Sequence, residues 1–154
     1  MECDFSKRTR AFRDGKKFLI DPEDFEKIKD MSFTICKGYV FTNDNKYLHR
    51  IIMNCPGGMY VDHIDGNKLN NRRSNLRICT NQENCMNRKK CNNNLAGYKG
   101  VHFRKDLNKF HAQIAFNGKK IYLGIFKTAE EAHQKYCEEG RKLFGEYFNS
   151  GEVV

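Results

Sequence analysis

The sequence has no long apolar run and no segment typical of export. A membrane-spanning helix needs about 18 or more consecutive apolar residues, and no stretch of the 154 residues approaches that. The first residues, Met1 to Asp4, are polar and unlike a secretory signal. We therefore expect a soluble, cytoplasmic protein that is not secreted and has no membrane partner.

The seven cysteines include no CxxC pair. An odd number of cysteines without an export signal argues against a disulfide scaffold. Cys79, Cys85 and Cys91 are evenly spaced, but zinc ribbons usually need the closer CxxC spacing. The sequence therefore favours reduced thiols and argues against structural Zn²⁺.

Acidic residues are too few to balance the basic ones. The 28 Lys and Arg against 19 Asp and Glu give a formal net charge of +9. Such an excess favours a polyanion as partner, and a phosphate backbone is the commonest polyanion. A well-solvated basic surface is the alternative, which charge alone leaves open.

The sequence predicts an α+β protein that divides into three parts. Residues 1–46 look like scaffold, with a basic stretch from Lys7 to Lys17 that is either an arm on phosphates or a disordered terminus. Further along, Asp21-Pro22 is typical of a helix start, and strands over 32–36 and 39–42 turn at Lys37-Gly38. Residues 91–95 read as a linker and 150–154 as a tail.

Residues 47–90 carry the residues suited to chemistry. Helical spacing over 47–52 places His49 and Arg50 outward. A strand over 59–61 leads into Asp62-His63, a polar loop follows, and residues 75–79 return as a second strand. Thr80 to Glu83 is typical of a capping box, so a helix should start there and carry Asn84 in its first turn.

Asp62, His63 and Asn84 suit phosphodiester hydrolysis. A neutral imidazole is a good general base near pH 7. A carboxylate with an amide oxygen suits a hard cation, Mg²⁺ or Mn²⁺, better than zinc. The alternative is that His63 is a turn histidine and the asparagines are loop formers.

These residues also resemble a known family. The segments 61–67, 70–71, 74–77 and 83–84 are similar to HNH endonucleases with a ββα-metal site, above all to homing enzymes of introns and phages. The resemblance implies a general base at His63, metal ligands at Asp62 and Asn84, and a bracing role for Asn75 beside the base. It implies a positional role for His49 and a bacterial or phage- or virus-infected host cell. Having Asn at position 84, as a subset of homing enzymes does, leaves nicking and double-strand cutting both open.

Residues 96–149 predict three strands and a helix. The strands are 101–104, 110–116 and 120–125, with a hairpin turn at Asn117-Gly118. Thr128 to Glu131 is typical of a capping box that opens a helix to about Phe144.

This part resembles the ethylene-response-factor (AP2-like) DNA-binding domain. The resemblance rests on the segments 97–101, 110–114, 122–126 and 128–132, and it implies that a three-stranded sheet enters the DNA major groove. The positions implied to contact DNA are Lys99, His102, Arg104, Gln113, Lys120 and Tyr122, and the neighbouring Lys119 is expected to contact phosphate as well. Arg104 and Gln113 are able to read base edges, whereas the lysines suit phosphates. A solvated basic sheet face is the alternative.

The sequence as a whole predicts a metal-dependent, site-specific endonuclease that acts on double-stranded DNA as a monomer or dimer. It predicts no small-molecule substrate. A DNA-binding regulator that retains an HNH fold without catalysis is the main alternative, and RNA binding is a third reading.

Overall fold

A computed structural model describes residues 17–88, 94 and 96–151, together with the backbone of two short strands nearer the N-terminus. Most of the basic N-terminal stretch and of the expected linker lies outside the described residues. The chain packs as two compact units, residues 1–81 and 82–154. Its small antiparallel sheets and four helices confirm the expected α+β class.

The first unit is built from short elements. They are β1 (Cys3–Asp4), β2 (Thr9–Ala11), β3 (Lys17–Leu19), α1 (Pro22–Ile28), β4 (Phe33–Cys36), β5 (Tyr39–Thr42), α2 (Leu48–Ile52), β6 (Tyr60–His63), a 3₁₀ turn (Arg73–Asn75) and β7 (Leu76–Cys79). Strands β1 to β3 form one sheet, while β4–β5 and β6–β7 form separate hairpins. Lys37 and Gly38 turn the β4–β5 hairpin with φ angles of 50° and 81°, as the Lys-Gly pair predicts.

A single apolar core holds these short elements together. It gathers residues from the strands and from α1 and α2, including Phe18, Ile28, Val40 and Leu48. Helix α1 is also joined to the 3₁₀ turn by charge, because the guanidinium of Arg73 donates to both carboxylate oxygens of buried Asp24, at 2.8 and 2.7 Å. Non-local packing therefore stabilises helices that are too short to be stable alone.

The second unit is a sheet covered by one helix. Helix α3 (Asn81–Met86) leads to β8 (Val101–Arg104), β9 (Lys109–Phe116), β10 (Lys119–Phe126), α4 (Ala129–Phe144) and a final 3₁₀ turn (Gly145–Tyr147). The sheet is antiparallel with the order β10-β9-β8. Asn117 and Gly118 both have positive φ, and Thr128 with Glu131 forms the complete capping box, so both sequence predictions are confirmed.

Helix α4 packs against one face of this sheet and leaves the other face open. Val101, Ala112 and Ile114 are buried against Ala132 and Tyr136 of the helix. Gly100 permits this contact, since a Cβ atom there would lie 2.1 Å from the Tyr136 ring.

The boundary between the units falls inside α3, earlier than the linker expected at 91–95. The reason lies in the packing of the end of α3 within the second unit. Met86 packs against its core, and the Asn87 side chain accepts a hydrogen bond from Asn149 at 3.2 Å. Among the described residues, no helix is long and apolar enough to cross a membrane.

Candidate active site

The β6–β7 hairpin carries the candidate catalytic residues of the first unit. Asp62 and His63 end β6 and pair with Arg77 and Leu76 of β7. Because side chains alternate along a strand, Asp62 and His63 lie on opposite faces of the hairpin. The two residues therefore have separate surroundings although they are neighbours in sequence.

Asp62 lies against its cross-strand neighbour. The guanidinium Nε and Nη2 of Arg77 donate to Asp62 Oδ2 at 3.0 and 2.8 Å, and both side chains are largely buried. Cross-strand neighbours of opposite charge are well placed to pair in this way. The carboxylate of Asp62 is thereby held in one orientation and charge-balanced inside the protein.

His63 is only 5 % exposed and is surrounded by rings and amides. Its Nε2 lies 3.3 Å from Asn71 Oδ1, and its ring centroid lies 5.1 Å from that of His49 and 6.2 Å from that of Tyr39. Burial lowers the pKa of His63 below its ordinary 6.5 and outweighs the opposing effects of Asn71, Asp65 and Asp62. His63 is therefore neutral at pH 7, the state that a general base requires.

His49 faces inward, so the prediction that it looks outward is wrong. The side chain is 6 % exposed and lies between the rings of Tyr39 and Tyr47, with centroids 5.6 and 5.0 Å away. Its Nδ1 is buried and has no hydrogen-bond partner among the residues that the structure describes. Burial, followed by the charge of His63, lowers the pKa of His49 to about 3.

Asn75 connects the two ends of the loop between β6 and β7. Its Oδ1 accepts from the backbone N of Asp65 at 3.0 Å, and its Nδ2 donates to Asp65 Oδ1 and Asn70 O at 2.9 and 2.8 Å. Asp65 also accepts from the backbone N of Asn67 at 2.7 Å, which is a turn-forming bond. These contacts are those of a residue that fixes the loop shape.

Asn84 lies on α3, five residues after the end of β7, and is half-buried. It belongs to the second unit, whereas Asp62 belongs to the first. Its joint role with Asp62 stays a prediction.

In the second unit, five of the seven residues proposed to contact DNA share the open face of the sheet. Register pairs His102 with His111, Gln113 with Tyr122 and Ala115 with Lys120, on the face opposite the buried Val101 and Ala112. The His102 and His111 rings stack with centroids 5.1 Å apart, and Tyr122 is 58 % exposed. The five residues on this open face are His102, Arg104, Gln113, Lys120 and Tyr122.

The remaining two lysines are placed differently. Lys119 pairs with Phe116, so it lies at the helix-covered side of the hairpin end. Lys99 is half-buried, and its ammonium donates to the backbone carbonyls of Met86 and Asn149. Burial lowers the pKa of Lys99 to about 8. The Lys99 amine thus serves contacts within the unit.

Sequence reasoning missed two residues that contact the candidate catalytic pair. Arg77 could have been predicted from the sequence, because pairing residues 60–63 with residues 76–79 places it opposite Asp62. Asn71 carries no such signal, because Asn70-Asn71 reads as a turn former.

Comparison with known proteins shows which proteins this region is similar to. The profile of an HNH endonuclease family matches residues 46–86, which include α2, β6, the loop and β7. Uncharacterized HNH endonuclease L560 of Acanthamoeba polyphaga mimivirus is 39 % identical over 106 residues, covering 65 % of this chain and 54 % of that protein. Protein 3.8 of Escherichia phage T7 is 32 % identical over 92 residues, covering 53 % of this chain and 76 % of that protein.

A prophage protein is a third relative. The SPbeta prophage-derived putative HNH homing endonuclease YosQ of Bacillus subtilis (strain 168) is 35 % identical over 86 residues, covering 51 % of this chain and 44 % of YosQ. The match therefore spans about half the length of L560 and of YosQ. No solved structure gives a significant match. Residues 46–86 therefore carry an HNH endonuclease domain, and two of these three relatives are named as HNH endonucleases.

Proposed function

We propose that this protein is a metal-dependent endonuclease that hydrolyses phosphodiester bonds of double-stranded DNA, with His63 as the general base. The observation that carries the proposal is the state of His63. It is a buried imidazole with a lowered pKa, at the end of a strand and beside a loop that Asn75 braces. Within a matched nuclease domain, a histidine that is neutral at pH 7 is suited to activating water.

The proposed reaction is a single hydrolytic displacement. The His63 imidazole takes a proton from a water molecule as the water oxygen bonds to phosphorus. The bond from phosphorus to the 3′ oxygen breaks, and that oxygen takes up a proton from solvent. The products are a 5′ phosphate and a 3′ hydroxyl, and His63 then returns its proton to solvent.

The residue types of the two proposed ligands suit a hard divalent cation. Asp62 offers a carboxylate fixed by Arg77, and Asn84 is the further ligand that the family resemblance implies. Within the part of the chain that the structure describes, no group of three or more His, Cys, Asp or Glu side chains could hold a metal ion. One carboxylate with an amide oxygen suits Mg²⁺ or Mn²⁺ rather than zinc. When bound, the cation would supply charge stabilisation at the phosphate oxygens.

The second unit is proposed to bind DNA in the manner of an AP2-like domain. Its open face presents exposed Arg104 and Lys120 beside Gln113, the amide of which contacts His102 at 3.1 Å. Arginine and glutamine can hydrogen-bond base edges in the major groove, whereas lysine suits phosphates. Site-specific cutting of the homing type follows if this face selects the sequence that the first unit cuts.

A plasmid-nicking assay tests the proposal. Supercoiled DNA is incubated with the full chain in Mg²⁺, in Mn²⁺, or in chelator, and the products are mapped on random-sequence DNA. We expect nicked or linear DNA only with a divalent cation, at recurring sequences. DNA binding without cleavage under every condition would contradict the proposal and favour a non-catalytic DNA-binding regulator.

A further inference from the structure

Asn71 is the fully buried member of the loop between β6 and β7, with 0 % exposure. Strand β3 fixes its backbone, since Leu19 O accepts from Asn71 N at 2.9 Å and Leu19 N donates to Leu69 O at 2.8 Å. The neighbouring Asn70 instead directs its side chain to Asp65, at 2.8 Å. Asn71 alone of these two asparagines is therefore aimed at His63.

The contacts of the Asn71 amide fix which of its atoms faces the imidazole. Its Nδ2 donates to the backbone carbonyl of Lys68 at 3.4 Å. A carbonyl only accepts, so the amide nitrogen must lie on that side and Oδ1 must face His63 Nε2, 3.3 Å away. Because Oδ1 also only accepts, the hydrogen of this bond belongs to Nε2 of His63.

The position of that hydrogen decides which ring nitrogen is basic. A neutral imidazole carries one N–H, and its lone pair for proton uptake is on the other nitrogen. With the hydrogen on Nε2, the basic atom of His63 is Nδ1. The edge-to-face contact with the His49 ring, at an interplanar angle of 79°, further restricts how the His63 ring turns.

We propose that Asn71 is a positioning residue that holds neutral His63 in the tautomer protonated on Nε2, so that Nδ1 accepts the proton of the attacking water. The inference rests on the proposed role of His63 as general base. Asn71 touches neither substrate nor metal in this scheme, and acts through the imidazole.

The tautomer can be read directly by NMR of the full chain labelled with ¹⁵N-histidine. At a pH at which His63 is neutral, its Nε2 should give a protonated-nitrogen signal and its Nδ1 a bare-nitrogen signal. His133 is an internal reference, because its Nδ1 lies 3.4 Å from the backbone carbonyl of Lys99 and must therefore be the protonated atom. The two histidines should show opposite patterns in one spectrum.

Two substitutions of Asn71 separate positioning from a structural role. Asn71→Leu removes the acceptor, so the His63 signals should become a mixture of tautomers and cleavage should fall by about tenfold or more at unchanged DNA affinity. Asn71→Asp keeps an acceptor beside Nε2. It should retain the tautomer and more of the activity, and its pH–rate profile should move to higher pH because the carboxylate favours the imidazolium.

Asn87→Asp is the matched control, a buried asparagine of the second unit that also bonds another side chain. It should leave the His63 signals and the pH–rate profile unchanged.

A wild-type His63 protonated on Nδ1 would overturn the inference, as would equal loss of activity in Asn71→Asp and Asn71→Leu without a change of pH profile. If Asn71→Leu does not fold, the wild-type spectrum and Asn71→Asp decide alone. Absence of cleavage by the wild type would remove the proposed function, whereas a wrong tautomer with intact cleavage would remove only the role of Asn71.

Discussion

Both units bring two histidine rings together with 5.1 Å between ring centroids, and the two pairs differ in what surrounds them. His49 and His63 meet edge to face inside the first unit, each almost without solvent contact. His102 and His111 stack on the open face of the second unit, beside Tyr122. The same side chain thus serves two purposes. The rings of the buried pair are shielded from bulk solvent, whereas the rings of the open pair lie on an exposed sheet face.

The electrostatic consequences follow from that difference. Burial is the largest cause of the lowered pKa of His49, His63 and His102, and it takes that of His49 to about 3. For His102, the neighbours His111 and Lys120 add to the lowering. Inside the first unit, burial outweighs the nearby carboxylates of Asp62 and Asp65 and holds the pKa of His63 below its ordinary value, which suits a base that must start without a proton.

The largest effect is expected from breaking the buried pair at His63. His63→Ala should reduce cleavage on the order of 10²–10⁴-fold, the usual contribution of a general base. DNA affinity, measured by gel shift in the presence of a divalent cation, should be nearly unchanged, because the proposed binding face is in the other unit. An equal loss of cleavage and affinity would contradict the role of His63.

The next effect concerns stability in acid. Between pH 6.5 and about 3, the unfolded chain binds a proton at His49 that the folded chain does not. Folding stability must therefore fall as the pH falls through that window, and the stability of His49→Gln should change less. Denaturant unfolding of both proteins at about pH 7.5 and about pH 4.5 measures the difference. Equal losses of stability in the two proteins would show that His49 does not stay neutral when folded.

The smallest effect is expected on the open face. Arg104 is held by Asp106, with bonds of 2.8 and 2.6 Å, and must exchange this exposed partner for a base. Arg104→Ala should cost about 1–3 kcal/mol of binding and relax sequence choice at about one base pair. Binding selections from random-sequence DNA measure this change.

Lys120→Ala is the matched comparison on the same face. Loss of a phosphate contact should weaken binding equally across sequences. It should also reduce the slope of the logarithm of the binding constant against the logarithm of salt concentration by about one. If Arg104→Ala changed neither affinity nor preferred sequence, the open face would not be the reading face.

Local signals in the sequence predicted the three strands and the long helix of the second unit almost to the residue. The Asn117-Gly118 turn and the Thr128 capping box act over four residues or fewer, so they are visible without knowledge of the fold. Asp21 shows what such local signals do not predict. Helix α1 does start after it, but its carboxylate accepts from the backbone N of Arg73, 52 residues away, in place of a cap bond.

The candidate site was predicted less completely for the same reason. Its residue types, Asp62 and His63, follow from the motif, whereas their surroundings are assembled by distant segments. Spacing within α2 could not reveal that Tyr39 of the preceding hairpin covers His49. Likewise, only the pairing of Leu19 with the loop aims Asn71 at His63.

The contact between Asn87 and Asn149 has a consequence for how such a chain can be assembled. These residues are among the first and last described positions of the second unit, and they lie within hydrogen-bond distance of each other. A module whose entry and exit meet at one point can be gained, lost or exchanged by recombination with little disturbance of the segments that flank it. If the second unit selects the DNA sequence as proposed, replacing this one contiguous piece of coding sequence would give the same first unit a different target sequence.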